Sequence, residues 1–377
     1  MPVLFIAPIP PPVHGGALAM QYLLPLAEQV GMRHLNSQFA VELADLGRFS
    51  LGKVGRLLGY CAQLVREVVW HRVQTVVVTP TFHLGPFLKD AVFIWLSAGL
   101  LRRRTVAWLH MDFSMMRFET RPAPLQWFVK QTLLRCDRFV VVSEGLKGLL
   151  PGWIPPGRVD AIANGVEVPD PLPPGRPEDG RVRLLYLSNL EQAKGWRVIL
   201  AAVRVLCREF PQLEFVLHGR PAFKETAESI RREIAEDNAG GRIVYGGPVY
   251  GQEKWRAFAS ADVFCFPSLN EALPLAVLEA MAAGLPIVAT RVGAVADALE
   301  AGAGGMLVAP GDVEGMAGAL RQLVGDDRLR RRYGAFNRQR FEERYTLECY
   351  QQRWLQWLAA DRARTGPGQA VNGAAVR

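Results

Sequence analysis

The stretch from Phe266 to Gly284 constrains more than any other what this chain can fold into. The apolar run that leads into it, residues 261–266, is rich in β-forming residues and predicts a buried strand. Pro274 suits the first position of a helix, where a missing N–H does no harm, and Gly284 is a natural helix stop. Residues 286–290 predict the next strand. This order predicts a βαβ unit whose helix begins at the carboxyl end of a strand, where free N–H groups and the helix dipole attract an anion.

Two carboxylates flank the start of this predicted helix. Glu271 lies in the loop before it, and Glu279 lies a little over one turn inside it. A carboxylate repels a phosphate but accepts hydrogen bonds from hydroxyl groups. A ligand with a phosphate centre and hydroxyls on each side, such as a nucleotide sugar, fits this pattern, and we expect both acids to line an open cleft. The alternative is an ordinary surface helix whose early acids complement the helix dipole.

The whole stretch resembles the E-x-x-x-x-x-x-x-E motif of the retaining family-4 glycosyltransferases, also called glycosyl transferase group 1. Ala272 and Leu273 stand where that family usually has Gly and Phe. The resemblance implies an α/β fold with two doubly wound Rossmann-like domains that face a cleft, the B-type glycosyltransferase fold. The residues that match the family pattern are Glu271, Leu275, Glu279, Ala280, Met281, Ala282, Gly284 and Pro286.

Strands alternate with helices on both sides of a segment rich in proline and glycine, which is typical of two parallel-sheet domains. That segment, residues 169–181, is predicted to be the interdomain linker. The resemblance makes residues 1–168 an acceptor domain and residues 182–345 a nucleotide-sugar donor domain. It also implies that the helix over residues 346–362 crosses back to the first domain, and the Gly/Ala-rich residues 363–377 are predicted to be disordered.

The resemblance implies how the second domain would hold the diphosphate of a donor. Lys194, in the loop after the first strand of this domain, matches a family residue that grips the diphosphate. Asn189 stands where the family usually has an arginine. The helix N-terminus at Leu273, Pro274 and Leu275 would stabilise the departing diphosphate, where negative charge builds up in the transition state.

The same resemblance implies contacts to the two ends of the donor. Glu271 would hold the hydroxyls or the positive face of the reacting sugar, which makes it a candidate catalytic residue. Glu279 would hold the ribose, and Val249 belongs to a loop, residues 246–250, that would lie on the nucleobase.

The first domain carries two weaker indications of a site. Gly15 and Gly16 lie between the first predicted strand and a helix predicted over residues 17–29; they resemble the family's glycine-rich loop over the cleft, and the alternative is a plain tight turn. His110 follows the predicted strand 105–109, and sites form at the carboxyl ends of parallel strands. It resembles the family's histidine that reaches the donor sugar or the acceptor, a second candidate catalytic residue; the alternative is a half-buried structural histidine.

Composition limits cofactors, partners and location. The five cysteines are scattered and include no C-x-x-C pair, which predicts free thiols in a reducing compartment. We find no D-x-D motif and therefore expect no metal, and no cofactor besides the donor substrate.

The net charge is +8, and no apolar run reaches the roughly 18 residues of a membrane span. We expect a cytoplasmic protein that attaches reversibly to the anionic inner face of a membrane and binds no nucleic acid.

Together these features favour a retaining glycosyltransferase. It would move a sugar from a nucleoside-diphosphate sugar to a saccharide or lipid-linked acceptor, as in the synthesis of cell-surface polysaccharide or glycolipid. Two alternatives stay open. One is a nucleotide-sugar epimerase or hydrolase of the same fold. The other is a non-catalytic sugar-nucleotide-binding protein, which the departures at Asn189, Ala272 and Leu273 favour.

Overall fold

Two six-stranded parallel sheets, one in each half of the chain, form the framework of this computed structural model. Each sheet reverses its strand order once, as a doubly wound sheet does, so the predicted fold class is confirmed. The structure describes residues 2–11, 14–39, 51–110, 113, 118–175, 179–222 and 225–364. Residues 176–178 of the predicted linker and residues 365–377 of the predicted tail lie outside these ranges.

The first sheet is built from β1 (Val3–Ala7), β2 (Met32–Asn36), β3 (Thr75–Val78), β4 (Arg104–Leu109), β5 (Arg138–Val141) and β6 (Val159–Ala161). The helices of this half are α1 (Gly15–Gln21), α2 (Ala27–Val30), α3 (Leu51–Trp70), α4 (Leu84–Ile94) and α5 (Ala123–Leu134). The strand order is β2-β1-β3-β4-β5-β6, with every pair parallel. The order reverses between β1 and β3, so a ligand site is favoured at their carboxyl ends.

The second sheet is built from β7 (Val182–Leu187), β8 (Leu213–His218), β9 (Ile243–Gly247), β10 (Val263–Phe266), β11 (Ile287–Thr290) and β12 (Gly305–Val308). Its helices are α6 (Trp196–Glu209), α7 (Ala227–Ala235), α8 (Gly251–Ala259), α9 (Leu275–Ala282), α10 (Val295–Ala298), α11 (Val313–Gly325) and α12 (Asp327–Arg344). The strand order is β12-β11-β10-β7-β8-β9, and it reverses between β7 and β10.

The last helix, α13 (Leu347–Arg364), packs against the first sheet although it follows the second in sequence. The Tyr350 hydroxyl donates a hydrogen bond to the Ala19 carbonyl oxygen at 2.9 Å, and Arg104 pairs with Asp361 at 2.6 Å. The Trp354 ring packs edge-on against rings of the first sheet. The helix thus ties the end of the chain to the first half.

The predicted helix over residues 17–29 is broken in the structure. Helix α1 ends at Gln21, and a single 3₁₀ turn over Leu24–Leu26 leads into α2. Pro25 lies in that turn; because proline has no N–H and its ring crowds the preceding turn, a continuous helix cannot pass through it. The edge strands β2 and β6 are not identified from the sequence, because pairing with β1 and β5 forms them rather than local propensity.

One apolar core joins the two halves. Leu109 and Val141 of the first sheet belong to the same buried cluster as Phe266, Leu273 and Val277 of the second half. The loop before α9 therefore rests on both halves. Within the described ranges, no helix combines the length and apolar character needed to cross a bilayer.

Candidate functional site at the head of helix α9

The loops that follow β7 and β10 meet at the point where the second sheet reverses its order. The two strands are hydrogen-bonded neighbours, so their carboxyl ends open side by side. At the meeting point Gly195 has φ +70°, and a Cβ there would lie 2.0 Å from the Pro267 carbonyl oxygen. Only glycine allows both this backbone conformation and this approach. The β7 loop is therefore held directly against the β10 loop.

This meeting brings together two candidate residues that lie far apart in the sequence. The Lys194 Nζ lies 2.6 Å from the Glu271 Oε1. The Ser268 hydroxyl donates a hydrogen bond to the same oxygen at 2.9 Å. The Lys194 side chain is 26% exposed and that of Glu271 13%, so solvent and a ligand can reach the cation. A fixed cation and a fixed carboxylate thus stand next to one another at a helix start.

Helix α9 starts one residue later than the sequence predicts. Pro274 is the N-cap with an extended backbone, and Leu275 is the first helical residue. No side chain caps this N-terminus, so its first N–H groups are available to an anion. Leu273 is buried, and its carbonyl oxygen accepts a hydrogen bond from the Asn164 amide of the first half at 3.4 Å. The helix start is therefore held by both halves of the protein.

The sequence led us to expect Glu279 on the wall of an open cleft. In the structure this residue is buried instead, and only 5% of it is exposed. The Lys254 Nζ of helix α8 lies 2.6 Å from its Oε1. Burial raises the pKa of Glu279, and the Lys254 charge opposes that rise. The sequence analysis missed Lys254, since the pair spans two helices and no local pattern links 254 to 279.

Tyr22 of the first half also belongs to this neighbourhood and was missed. Burial, followed by the negative charges of Glu279 and Glu167, raises the pKa of Tyr22 to about 12. Its hydroxyl therefore keeps its proton at neutral pH and can donate a hydrogen bond. Its position just after α1 gives no sequence signal for such a role, because α1 is brought to Glu279 only by the packing of the two halves.

In the first half the structure places Gly16 directly against His110. A Cβ on Gly16 would lie 3.5 Å from the imidazole ring, and that ring packs on Trp108 with centroids 4.1 Å apart. The His110 Nε2 is inaccessible to water and has no hydrogen-bond partner among the described residues. Burial, followed by the nearby charge of His14, lowers the pKa of His110 to about 3. A neutral imidazole can hold a hydroxyl group but supplies no charge.

The remaining candidates lie at the edges of the site. Gly15 is the exposed first residue of α1. Asn189 is half-buried, and its backbone carbonyl oxygen accepts a hydrogen bond from the Tyr186 hydroxyl at 3.1 Å. Val249 is half-buried against the shared core, just after β9; that strand extends through Gly247, so the predicted loop 246–250 is shorter than expected. The same Tyr186 hydroxyl reaches the Lys194 carbonyl oxygen at 3.4 Å, so Asn189 lies close to the Lys194 loop. No hydrogen bond among the described residues joins Gly15 or Val249 to the Lys194–Glu271 pair.

A further contact between the halves lies beside the site. The Asp297 carboxylate accepts hydrogen bonds from the Gly145 backbone N–H at 2.9 Å and from the Ser143 hydroxyl. In the part of the chain that the structure describes, no three His, Cys, Asp or Glu side chains cluster closely enough to hold a metal ion.

Comparison with known proteins identifies the second half. Residues 181–326 match the family model "Glycosyl transferases group 1". This segment belongs to the group 1 glycosyl transferases. The match confirms the family inferred from the stretch around Glu271, and it covers the strands, loops and helix that form the Lys194–Glu271 site.

The related proteins have several activities. Phosphatidyl-myo-inositol mannosyltransferase of Mycolicibacterium smegmatis is 39% identical over 179 residues, which cover 46% of this chain and 45% of that protein. Sulfoquinovosyl transferase SQD2 of Arabidopsis thaliana is 33% identical over 191 residues, which cover 48% of this chain and 36% of that protein. The matched region thus spans less than half the length of these curated relatives.

Solved structures match nearly the whole chain. Sucrose-phosphate synthase from Thermosynechococcus elongatus has a TM-score of 0.75 at 19% identity, covering 96% of this chain and 99% of that one. HepE of Anabaena in complex with UDP and glucose has a TM-score of 0.70 at 18% identity, covering 95% of this chain and 99% of that one. These matches establish the two-domain B-type glycosyltransferase fold.

Proposed function

We propose that this protein is a retaining glycosyltransferase that moves a sugar from a nucleoside-diphosphate sugar to a hydroxyl of a saccharide or lipid-linked acceptor. The observation that carries the proposal is the Lys194–Glu271 pair, 2.6 Å long, at the uncapped start of α9. A cation beside free N–H groups suits a diphosphate, and the adjoining carboxylate suits the sugar attached to it.

The Lys194–Glu271 pair would complement both charges that develop during transfer. As the sugar–phosphate bond breaks, negative charge grows on the diphosphate and positive charge on the sugar. Lys194 and the N–H groups at Leu275 would stabilise the first, and Glu271 would stabilise the second. Because Ser268 and Lys194 already fix the Glu271 carboxylate, little reorganisation is needed when the charges appear.

The nucleoside and the sugar hydroxyls would be held by the surrounding groups. Glu279, oriented by Lys254, would accept hydrogen bonds from the ribose, and the protonated Tyr22 hydroxyl would donate one. The neutral His110, held by Trp108 and Gly16, would hold a hydroxyl of the reacting sugar or of the acceptor. Val249 would border the base.

The names of similar proteins guide the choice of substrates. The HepE structure contains UDP and glucose, so UDP-glucose is the first donor to test. The names of the mannosyltransferase and of sulfoquinovosyl transferase suggest other sugars, and the former suggests a lipid-linked acceptor. We place the reaction in the synthesis of cell-surface polysaccharide or glycolipid, on the cytoplasmic side of the membrane.

The test is a panel of UDP-, GDP- and ADP-sugars, each incubated with and without extracts that contain saccharide and lipid acceptors. We expect release of the nucleoside diphosphate that depends on the acceptor, and a product with the same anomeric configuration as the donor by NMR. Conversion without acceptor would instead indicate an epimerase or hydrolase. Binding of a nucleotide sugar without turnover would indicate a non-catalytic binding protein.

A further inference from the structure

Helix α3 of the first half exposes a continuous apolar stripe. Val54, Leu58, Val65 and Val69 are 40%, 66%, 36% and 62% exposed. Their spacings of four, seven and four residues place them on one helical face. Over fifteen residues at about 1.5 Å each, the stripe is roughly 22 Å long. The buried face of the same helix is a different one, marked by Leu64.

Helix α4 also exposes apolar side chains. Leu88 and Val92 on α4, four residues apart, are 48% and 39% exposed. Helices α3 and α4 cover the same face of the first sheet, because Leu64 and Phe87 from their inner sides share one buried cluster with β1 and β3. We call Val54, Leu58, Val65, Val69, Leu88 and Val92 the outer apolar surface. Trp70 and Leu100, at the ends of this layer, are 78% and 76% exposed.

The charges around this surface are strongly one-sided. Residues 51–110 contain eight Lys and Arg (53, 56, 66, 72, 89, 102, 103 and 104) and two acids (67 and 90), so their net charge is 8 − 2 = +6 of the total +8. Both acids are buried: Glu67 pairs with Arg33 on β2, and Asp90 pairs with Lys89. Arg104 instead pairs with Asp361 of α13, and Lys89 is neutralised by Asp90. The exposed cations Arg56, Arg66, Arg72 and Arg102 make the outward charge of this segment positive.

We propose that the outer apolar surface docks onto an anionic phospholipid bilayer. The apolar side chains would enter the boundary between headgroups and acyl chains, and the surrounding arginines would contact the phosphates. The charge distribution favours a bilayer over a second copy of this chain, because a symmetric pairing would set the same cations against each other. This inference concerns a different face from the donor site and does not depend on the proposed reaction.

The test measures binding of the full chain to vesicles by co-sedimentation. We expect binding to phosphatidylcholine vesicles that contain phosphatidylglycerol, and much weaker binding to phosphatidylcholine alone. A double variant of the stripe, Leu58→Glu and Val69→Glu, should lower the vesicle–water partition coefficient at least tenfold. That is about the effect of losing one buried leucine. A second double variant, Arg56→Gln and Arg72→Gln, should lower the partition coefficient about 25-fold at low salt, because each cation contributes about fivefold.

A matched control applies the same chemistry to the second half. Val205→Glu with Val244→Glu alters two side chains that are 44% and 47% exposed, and should leave vesicle binding unchanged. Melting curves confirm that every variant folds. The proposal is overturned if the wild-type protein does not bind anionic vesicles, or if the stripe variant binds them as well as wild type. It is also overturned if light scattering shows a wild-type dimer that the stripe variant no longer forms. Because no outcome depends on turnover, failure here is separate from failure of the proposed function.

Discussion

At the scale of single residues, the two glutamates of the proposed donor site differ in their surroundings. The Glu271 carboxylate accepts a hydrogen bond from a partly exposed lysine, Lys194, whereas Glu279 is buried against Lys254. If Glu279 binds the ribose, it makes this contact equally in the ground state and in the transition state. Its replacement should change affinity for the donor more than the rate of the chemical step.

We predict that Glu279→Gln raises KM roughly tenfold or more and leaves kcat nearly unchanged, as expected when a hydrogen bond to a charged group is lost. It should also lower the free energy of unfolding by about 1 kcal/mol, because Lys254 loses its anion but is exposed enough to turn to water. Steady-state kinetics and denaturant unfolding measure both effects. Glu253→Gln, at the exposed neighbour of Lys254, is the control, and equal behaviour of the two variants would argue against this assignment.

We predict that His110 makes the fold less stable in acid. Its pKa is lowered from 6.5 to about 3 in the folded protein, so as the pH falls below 6.5 the unfolded chain binds a proton that the folded chain does not. The free energy of unfolding should therefore fall by up to about 1.4 kcal/mol per pH unit, and His110→Asn should flatten this dependence. Urea unfolding between about pH 6.5 and pH 5 measures the slope. His83→Asn, at an exposed histidine, should keep the wild-type slope; an unchanged slope in His110→Asn would show that the group is not responsible.

At the scale of elements, the site depends on how closely two strand-end loops approach. The β7 loop carries Lys194 and the β10 loop carries Glu271 and Ser268. Gly195 is the residue that allows the contact, because of both its positive φ and the nearby Pro267 carbonyl oxygen. Changes at this position should act on both loops at once.

We predict that Gly195→Ala destabilises the protein by more than about 2 kcal/mol and abolishes donor binding, because strain at positive φ adds to a backbone clash. Gly180→Ala is a matched control: φ is +72° there, but a Cβ would meet nothing within 4 Å. It should cost only the strain, about 1–2 kcal/mol. Thermal melts and binding of a nucleoside diphosphate compare the two. Similar losses at both positions would mean that the clash at Gly195 is relieved by movement of the loops.

Much of this element-scale organisation could be predicted from the sequence. The β10–α9–β11 unit has a strong local pattern, an apolar run followed by Pro274 and Gly284, and the structure has a strand, a helix and a strand at these positions. Lys254 and Tyr22 could not be predicted, because they reach Glu279 only through packing between helices and between halves. A sequence pattern records neighbours along one element, and these contacts join different elements.

At the scale of the whole molecule, both halves contribute to one site. Asn164 of the first half bonds to the carbonyl oxygen of Leu273, and Asp297 of the second half holds the Gly145 N–H. The shared core beneath them extends from the first sheet to α9. We therefore expect the protein to bind and turn over the donor as a two-domain unit.

We predict that turnover needs no divalent metal, because Lys194 and the start of α9 would supply the positive charge that a metal supplies elsewhere. Activity with the donor found in the panel should be unchanged after dialysis against EDTA and on later addition of Mg²⁺ or Mn²⁺. A preparation that loses activity with the chelator and regains it with either ion would contradict this prediction.

The most direct test of the central claim is steady-state kinetics of two variants at the head of α9, Lys194→Met and Glu271→Gln. If this pair stabilises the charges of the transition state, each should lower kcat by at least about tenfold to a hundredfold, the effect expected for one hydrogen bond to a charged group. Arg321→Met and Glu209→Gln remove an exposed ion pair of the same length, 2.6 Å, between α11 and α6, and serve as controls. The account predicts large losses of kcat in the first two variants, with unchanged melting temperatures, and wild-type kinetics in the controls. Wild-type kcat in both Lys194→Met and Glu271→Gln would contradict it.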